Sequence, residues 1–123
     1  MVGPRRTHRE LLAFALGLPG AWEDHPWEET VAKVGKKVFV FFGSGASPTG
    51  PGMTVKLRES LDQGLAIPGA APTGYGLGRA GWVDVPFRSA GLPPMGVLTD
   101  MIEESYRLVA PKRLVAELDE RAG

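Results

Sequence analysis

The sequence predicts an α+β fold: an antiparallel β-sheet of about five strands, with N-terminal and C-terminal helices packed on one face. Three observations lead there. The run Lys37-Val38-Phe39-Val40-Phe41-Phe42 is apolar at both parities after its lysine, and its three aromatics and two valines favour an extended strand. Such a run is covered on both faces, or nearly so, and reads as a central strand with helices on one side. Helical periodicity is strongest at the two ends of the chain: Leu11, Phe14, Ala15 and Leu18 early, and Leu98, Met101, Ile102, Ser105, Tyr106 and Val109 late. Between them lie short strand-like segments, separated by turns rich in the chain's 17 glycines and 11 prolines.

Taken in order, residues 1–6 read as a frayed leader. Thr7-His8-Arg9-Glu10 has the form of a capping box, which predicts a helix over 9–17 that closes at Leu18-Pro19-Gly20 with Leu18 as a buried anchor. Residues 21–29 read as a loop, in which Pro26 holds His25 extended. Its two tryptophans, Trp22 and Trp27, either clamp the loop onto the sheet edge or leave one ring exposed for a partner. A strand over 30–34 turns through Gly35-Lys36 into the central strand, making a hairpin. The loop over 43–52 has a Gly-x-Gly but neither the lysine nor the following helix of a phosphate loop.

Residues 53–57 alternate, with Met53, Val55 and Leu57 inward and Thr54 and Lys56 outward, and pair antiparallel to the central strand. A short helix over 58–65 carries Leu61 and Leu65. Residues 75–78 read as a short extended segment and 82–85 as a strand, with Val83 and Val85 inward because Asp84 is polar. Pro94 suits the start of the longest helix, whose Asp100, Glu103, Glu104 and Arg107 face solvent. There Glu103/Arg107 is an attractive i,i+4 pair and Asp100/Glu104 a repulsive one. Pro111 permits a last helix, with Leu114, Val115 and Leu118 on its apolar face and Arg113/Glu117 as a pair.

The 123 residues are expected to form one domain, 1–123, large enough to bury a core. There is no cysteine, which excludes disulfides and thiolate chemistry. With no signal-peptide pattern and no apolar run near the roughly 20 residues of a membrane span, the expectation is a soluble, cytoplasmic monomer. Fourteen basic and fourteen acidic residues cancel. That argues against strong nonspecific binding to nucleic acid, which depends on neutralising phosphates, and leaves room for a local basic face.

No enzyme activity, metal or cofactor is expected. Glu23, Asp24 and His25 are consecutive, so in an extended chain they do not converge. With Glu28 and Glu29 they could make an oxygen-rich cation site, but a solvated acidic loop is the simpler reading. His8 has no acid–base partner at a compelling spacing, Ser44 and Ser47 lack a nucleophile setting, and Tyr106 sits on an apolar stripe.

Several stretches together resemble the MmcQ/YjbR family of small bacterial proteins. They are Leu18-Pro19-Gly20-Ala21, Glu23 through Pro26-Trp27, Lys33-Val34-Gly35-Lys36-Lys37-Val38-Phe39, Val55-Lys56-Leu57, Pro68-Gly69, Pro72, Tyr75-Gly76-Leu77, Gly81-Trp82-Val83 and Ile102-Glu103-Glu104-Ser105-Tyr106-Arg107-Leu108-Val109. They run through most of the chain. The resemblance implies an α+β fold similar to frataxin-like and secretion-chaperone-like proteins, and a DNA-binding role. Gly81 stands where a histidine or similar polar residue is usual in that family, and the 43–52 loop is richer in glycine and proline. Frataxin-like iron handling would need an acidic ridge, whereas the start of this chain carries Arg5, Arg6 and Arg9.

Two partners are therefore expected as alternatives. DNA would be met by Lys33, Lys36 and Lys37 around the hairpin, Lys56 and Arg58 after it, and Arg79, with a tryptophan stacking on a base where exposed. A protein partner would be met by the sheet face and the aromatics Trp22, Trp27, Tyr75 and Trp82.

Overall fold

The computed structural model describes residues 3–26, 29–43, 51–74 and 76–122. Helix α1, Pro4–Leu16, leads through Gly20 into β1, Ala21–Asp24. Then come β2 (Thr30–Val34), β3 (Lys37–Gly43) and β4 (Gly52–Lys56). Helix α2 (Leu61–Leu65), β5 (Ala71–Pro72), a 3-10 turn (Leu77–Ala80) and β6 (Trp82–Pro86) follow. The chain closes with α3 (Met95–Val109) and α4 (Lys112–Ala122). The strands form one antiparallel sheet in the order β1-β2-β3-β4-β6-β5. The run at 37–42 is thus internal, as its two-sided apolar pattern requires.

Helices α1 and α3 lie against one another and on one face of the sheet, α1 toward β1 and β2 and α3 across β3 and β4. The core between them holds Leu11, Ala15, Phe39, Phe42, Val55, Val83, Leu98, Ile102 and Tyr106, all at most 1% exposed. Leu18 is buried beyond α1, and Val83 and Val85 face inward on β6, as their patterns predict.

Several boundaries differ from the sequence reading. Helix α1 begins at Pro4, not at Arg9: proline fits the first helical position, where its missing N–H costs nothing. Thr7 is therefore inside the helix, and its buried hydroxyl donates to the Gly3 carbonyl at 3.2 Å instead of capping. Glu10 pairs with Arg6 at 2.9 Å. The expected tryptophan loop is an edge strand over its first four residues, β1, because its backbone finds β2 with Trp22 opposite Lys33. Only the part of the 43–52 loop at Gly43, Pro51 and Gly52 falls among the described residues. Helix α2 is shorter than 58–65, since Glu104 holds the backbone of 58 and 60 outside it. Leu77 and Gly78 belong to the 3-10 turn, not to an extended segment. The α+β sheet with helices on one face is as predicted, and among the described residues two-residue β5 adds a sixth strand at its edge. On α4, Glu117 approaches Arg121 rather than Arg113.

A bulge decides the geometry at one end of the sheet. Ala32 pairs with Val40 but Lys33 pairs with Val38, so Phe39 is the extra residue on β3 and turns into the core. Its carbonyl and the Lys56 N–H leave the β3–β4 ladder. Ser105 of α3 bridges them: its Oγ accepts from Lys56 N at 2.9 Å and donates to Phe39 O at 2.5 Å. Next to it on α3, Tyr106 donates its hydroxyl to the Pro19 carbonyl at 2.6 Å. At Gly81, φ is 96°, and a Cβ there would run into the Leu57 carbonyl; only glycine fits without strain.

Candidate functional site

The register brings the sequence-predicted residues to one end of the sheet. Val34 pairs with Lys37 across the two-residue turn Gly35-Lys36, where Gly35 has φ 61°. Antiparallel pairing then places the end of β4 beside the start of β3, and Lys56 opposite Trp82 at the start of β6. Ala21 opposite Val34 puts the start of β1 there too. So Trp22, Lys33, Lys36, Lys37, Lys56, Arg58, Arg79 and Trp82 all lie at or near this end. Trp27 and Tyr75 lie outside the described residues.

The residues divide by what they touch. Lys33 is half-buried on the helix-free face, with its Nζ 2.7 Å from Asp24 Oδ2 and 5.1 Å from the centre of the Trp22 ring. The Lys33 ammonium and the His25 N–H beside Asp24 hold its carboxyl below the usual carboxylate range. Trp22 remains 44% exposed, but its indole N–H donates to the Gly35 carbonyl at 3.0 Å. Its ring is therefore fixed across the β2–β3 turn.

Lys36, Lys37, Arg58 and Arg79 are exposed, and Lys56 is half-buried beside Trp82. None of these five forms an ion pair among the described residues. Arg58 differs in its surroundings: it opens onto a groove with Glu59, Asp100, Glu103 and Glu104. Burial favours the neutral form of Glu104, but the N–H groups of Arg58 and Ser60 outweigh it and hold the carboxyl low.

The helix-free face has an aromatic centre. Phe41 of β3 meets Trp82 of β6 edge-to-face, with ring centroids 5.5 Å apart across β4. Beside them Asp84 accepts from the hydroxyls of Thr54 at 2.6 Å and Thr73 at 2.8 Å.

This arrangement can meet an extended anion with unpaired cations along its rim. It offers little to a reaction. Glu23 bonds to His25 at 2.6 Å while Asp24 turns to Lys33, so the three consecutive residues do not converge. Among the described residues no group of three or more histidines and carboxylates could hold a metal ion. None of their helices is long and apolar enough to cross a membrane.

The sequence model of the YjbR family matches residues 16–108. The chain belongs to the YjbR family. No curated protein matches it. The stretches that carry the YjbR resemblance mostly build the end of the sheet just described. Glu104, Ser105 and Tyr106 fix the 58–60 loop, the β3–β4 junction and the turn after α1 in turn.

Sequence reasoning missed Asp24 as the partner of Lys33 and placed Glu104 in solvent. The first had no local signal, because the pair is made by strand pairing. The second had one: Asp100 and Glu104 repel at i,i+4, so a carboxylate kept there needs a donor from elsewhere.

Proposed function

We propose that this YjbR-family protein is a non-catalytic DNA-binding protein whose contacts are weak and directed at phosphate. The observation that carries the reading is the convergence of Lys36, Lys37, Lys56 and Arg79 on one rim, without ion pairs among the described residues. Neighbouring strands are spaced about 4.8 Å apart, so the cations from β2 to β6 span roughly 15 Å, a length suited to several phosphates of one strand. Lys33 contributes less because Asp24 already neutralises it, and Arg58 less because acids share its groove. Zero net charge keeps the affinity low and salt-sensitive. Among the described residues no helix projects from the rim, so the contacts position a backbone rather than read base edges.

The test is fluorescence anisotropy of labelled single- and double-stranded DNA at low and raised salt, with Lys36→Glu/Lys37→Glu alongside. Saturable binding that weakens with salt and falls in the variant is expected. Binding that the variant leaves intact would remove the rim from the account.

A second reading is supported by a different observation. The Phe41–Trp82 pair and the exposed Trp22 give the helix-free face aromatic anchors of the kind that dominate protein interfaces. A protein partner there would be lost on Trp22→Ala and unaffected by Lys36→Glu/Lys37→Glu.

A further inference from the structure

A second group of cations lies at the opposite end of the sheet. Between the start of α1 and the segment after β6 is a cleft of about 660 Å³, lined by Gly3, Pro4, Arg5, His8, Pro51 and Arg88. Among the described residues no carboxylate lines it. Arg5 and Arg88 form no ion pair among the described residues, although Arg6 next door is taken by Glu10. Two arginines thus line one concavity, one from a helix and one from a loop, with His8 on the same lining.

His8 is fixed in place. Its ring stacks on the buried ring of Phe42, with centroids 5.1 Å apart and planes 3° from parallel. Burial lowers its pKa below 6.5, against a smaller upward pull from Glu23. Glu23, the acid that acts on it from β1, is bonded to His25 at 2.6 Å. A neutral imidazole can donate one hydrogen bond to an anion, and an anion alongside would favour its protonated form.

We propose that this cleft binds the phosphate group of a small organic ligand. Guanidinium forks match phosphate oxygens two at a time, which an ammonium rim does not. Here two arginines line one cleft, whereas the lysines of the rim are strung along successive strands. Helix α1 supports the same sign of charge: its first turn has no acidic residue and no side-chain cap, so its free N–H groups stay available. Pro4 and Pro51 supply apolar wall for the organic part. The site is independent of the rim and of DNA binding.

The test is an NMR titration of the 15N-labelled protein with inorganic phosphate and with a nucleoside monophosphate, at constant ionic strength held with chloride. Saturable shifts are expected at the Arg5 and Arg88 side chains and in the first turn of α1, with a dissociation constant on the order of 1 mM for phosphate alone and tighter for the monoester. The His8 pKa should rise as the site fills. Arg5→Gln/Arg88→Gln should weaken binding about tenfold or more while Lys36→Glu/Lys37→Glu leaves it unchanged. Thermal unfolding of both variants checks that they fold alike. Linear shifts up to about 10 mM phosphate, or equal responses in the two variants, would overturn the proposal. So would single-stranded DNA that fills the cleft at matched phosphate concentration, because the site would then read a nucleic-acid backbone.

Discussion

At the end of the sheet where β2 turns into β3, cations occupy successive strands of an exposed rim. At the other end, Arg5, His8 and Arg88 face a single cleft. Among the described residues the rim carries Lys36, Lys37, Lys56 and Arg79, the cleft only Arg5 and Arg88 beside His8, and the arrangement differs as well as the number. A rim built by strand pairing repeats at the strand spacing and suits a polymer. A cleft between a helix start and a loop converges and suits one anion. The scaffolding differs too. The rim is tied from behind by Ser105 and Tyr106 of α3, and Glu104 beside them holds the 58–60 loop. The cleft leans on one stacked ring pair.

The largest effect should come from breaking the tie behind the rim. Ser105→Ala leaves the Lys56 N–H and the Phe39 carbonyl unpaired and should cost about 1–3 kcal/mol of stability, read by urea unfolding. Weakened DNA binding is expected alongside, with phosphate binding at the cleft retained. Next is the rim itself: Lys36→Glu/Lys37→Glu should lower DNA affinity by about tenfold or more at low salt, without a change in unfolding midpoint. Equal loss in Arg5→Gln/Arg88→Gln would erase the distinction between the ends.

The cleft end should also show in pH dependence. The folded pKa of His8 lies below 6.5, so above that pH the residue is neutral whether folded or unfolded and contributes no slope. As pH falls through 6.5 the unfolded chain takes up the proton first, and stability declines until the folded pKa is passed. In phosphate-free buffer, His8→Phe should therefore lose less stability on acidification than the native protein, by chemical unfolding at a series of pH values. The smallest expected effect is at Lys33. Asp24→Asn removes the carboxylate that pairs with Lys33 at the sheet edge and frees the lysine, so DNA binding should tighten by about twofold while stability barely moves.

Most of the rim was legible in the sequence, and the cleft was not. Lys36 and Lys37 stand at a glycine turn between two apolar runs, and Lys56 at a polar position of a clean alternation; period and turn chemistry place both. Pairing order then follows from the shortest connections. The Thr-x-x-Glu pattern at Thr7 predicts a helix over 9–17 and leaves Arg5 in the leader over 1–6, whereas the helix begins at Pro4. Arg88 lies in an irregular segment with no period to follow. β1 falls within 21–29, which Pro26 and the two tryptophans mark as a loop, and only its long-range pairing with β2 makes it a strand. The ion pair Asp24–Lys33 and the Ser105 bridge depend on long-range contacts that no local pattern encodes.

The most direct measurement of the central claim is the salt dependence of DNA binding by anisotropy, for the native protein and Lys36→Glu/Lys37→Glu. If both lysines meet phosphates, the log–log slope should become shallower by about 1.4–1.8, from about 0.7–0.9 per phosphate neutralised. Identical slopes, or no saturable DNA binding by the native protein at low salt, would contradict a phosphate-contacting rim.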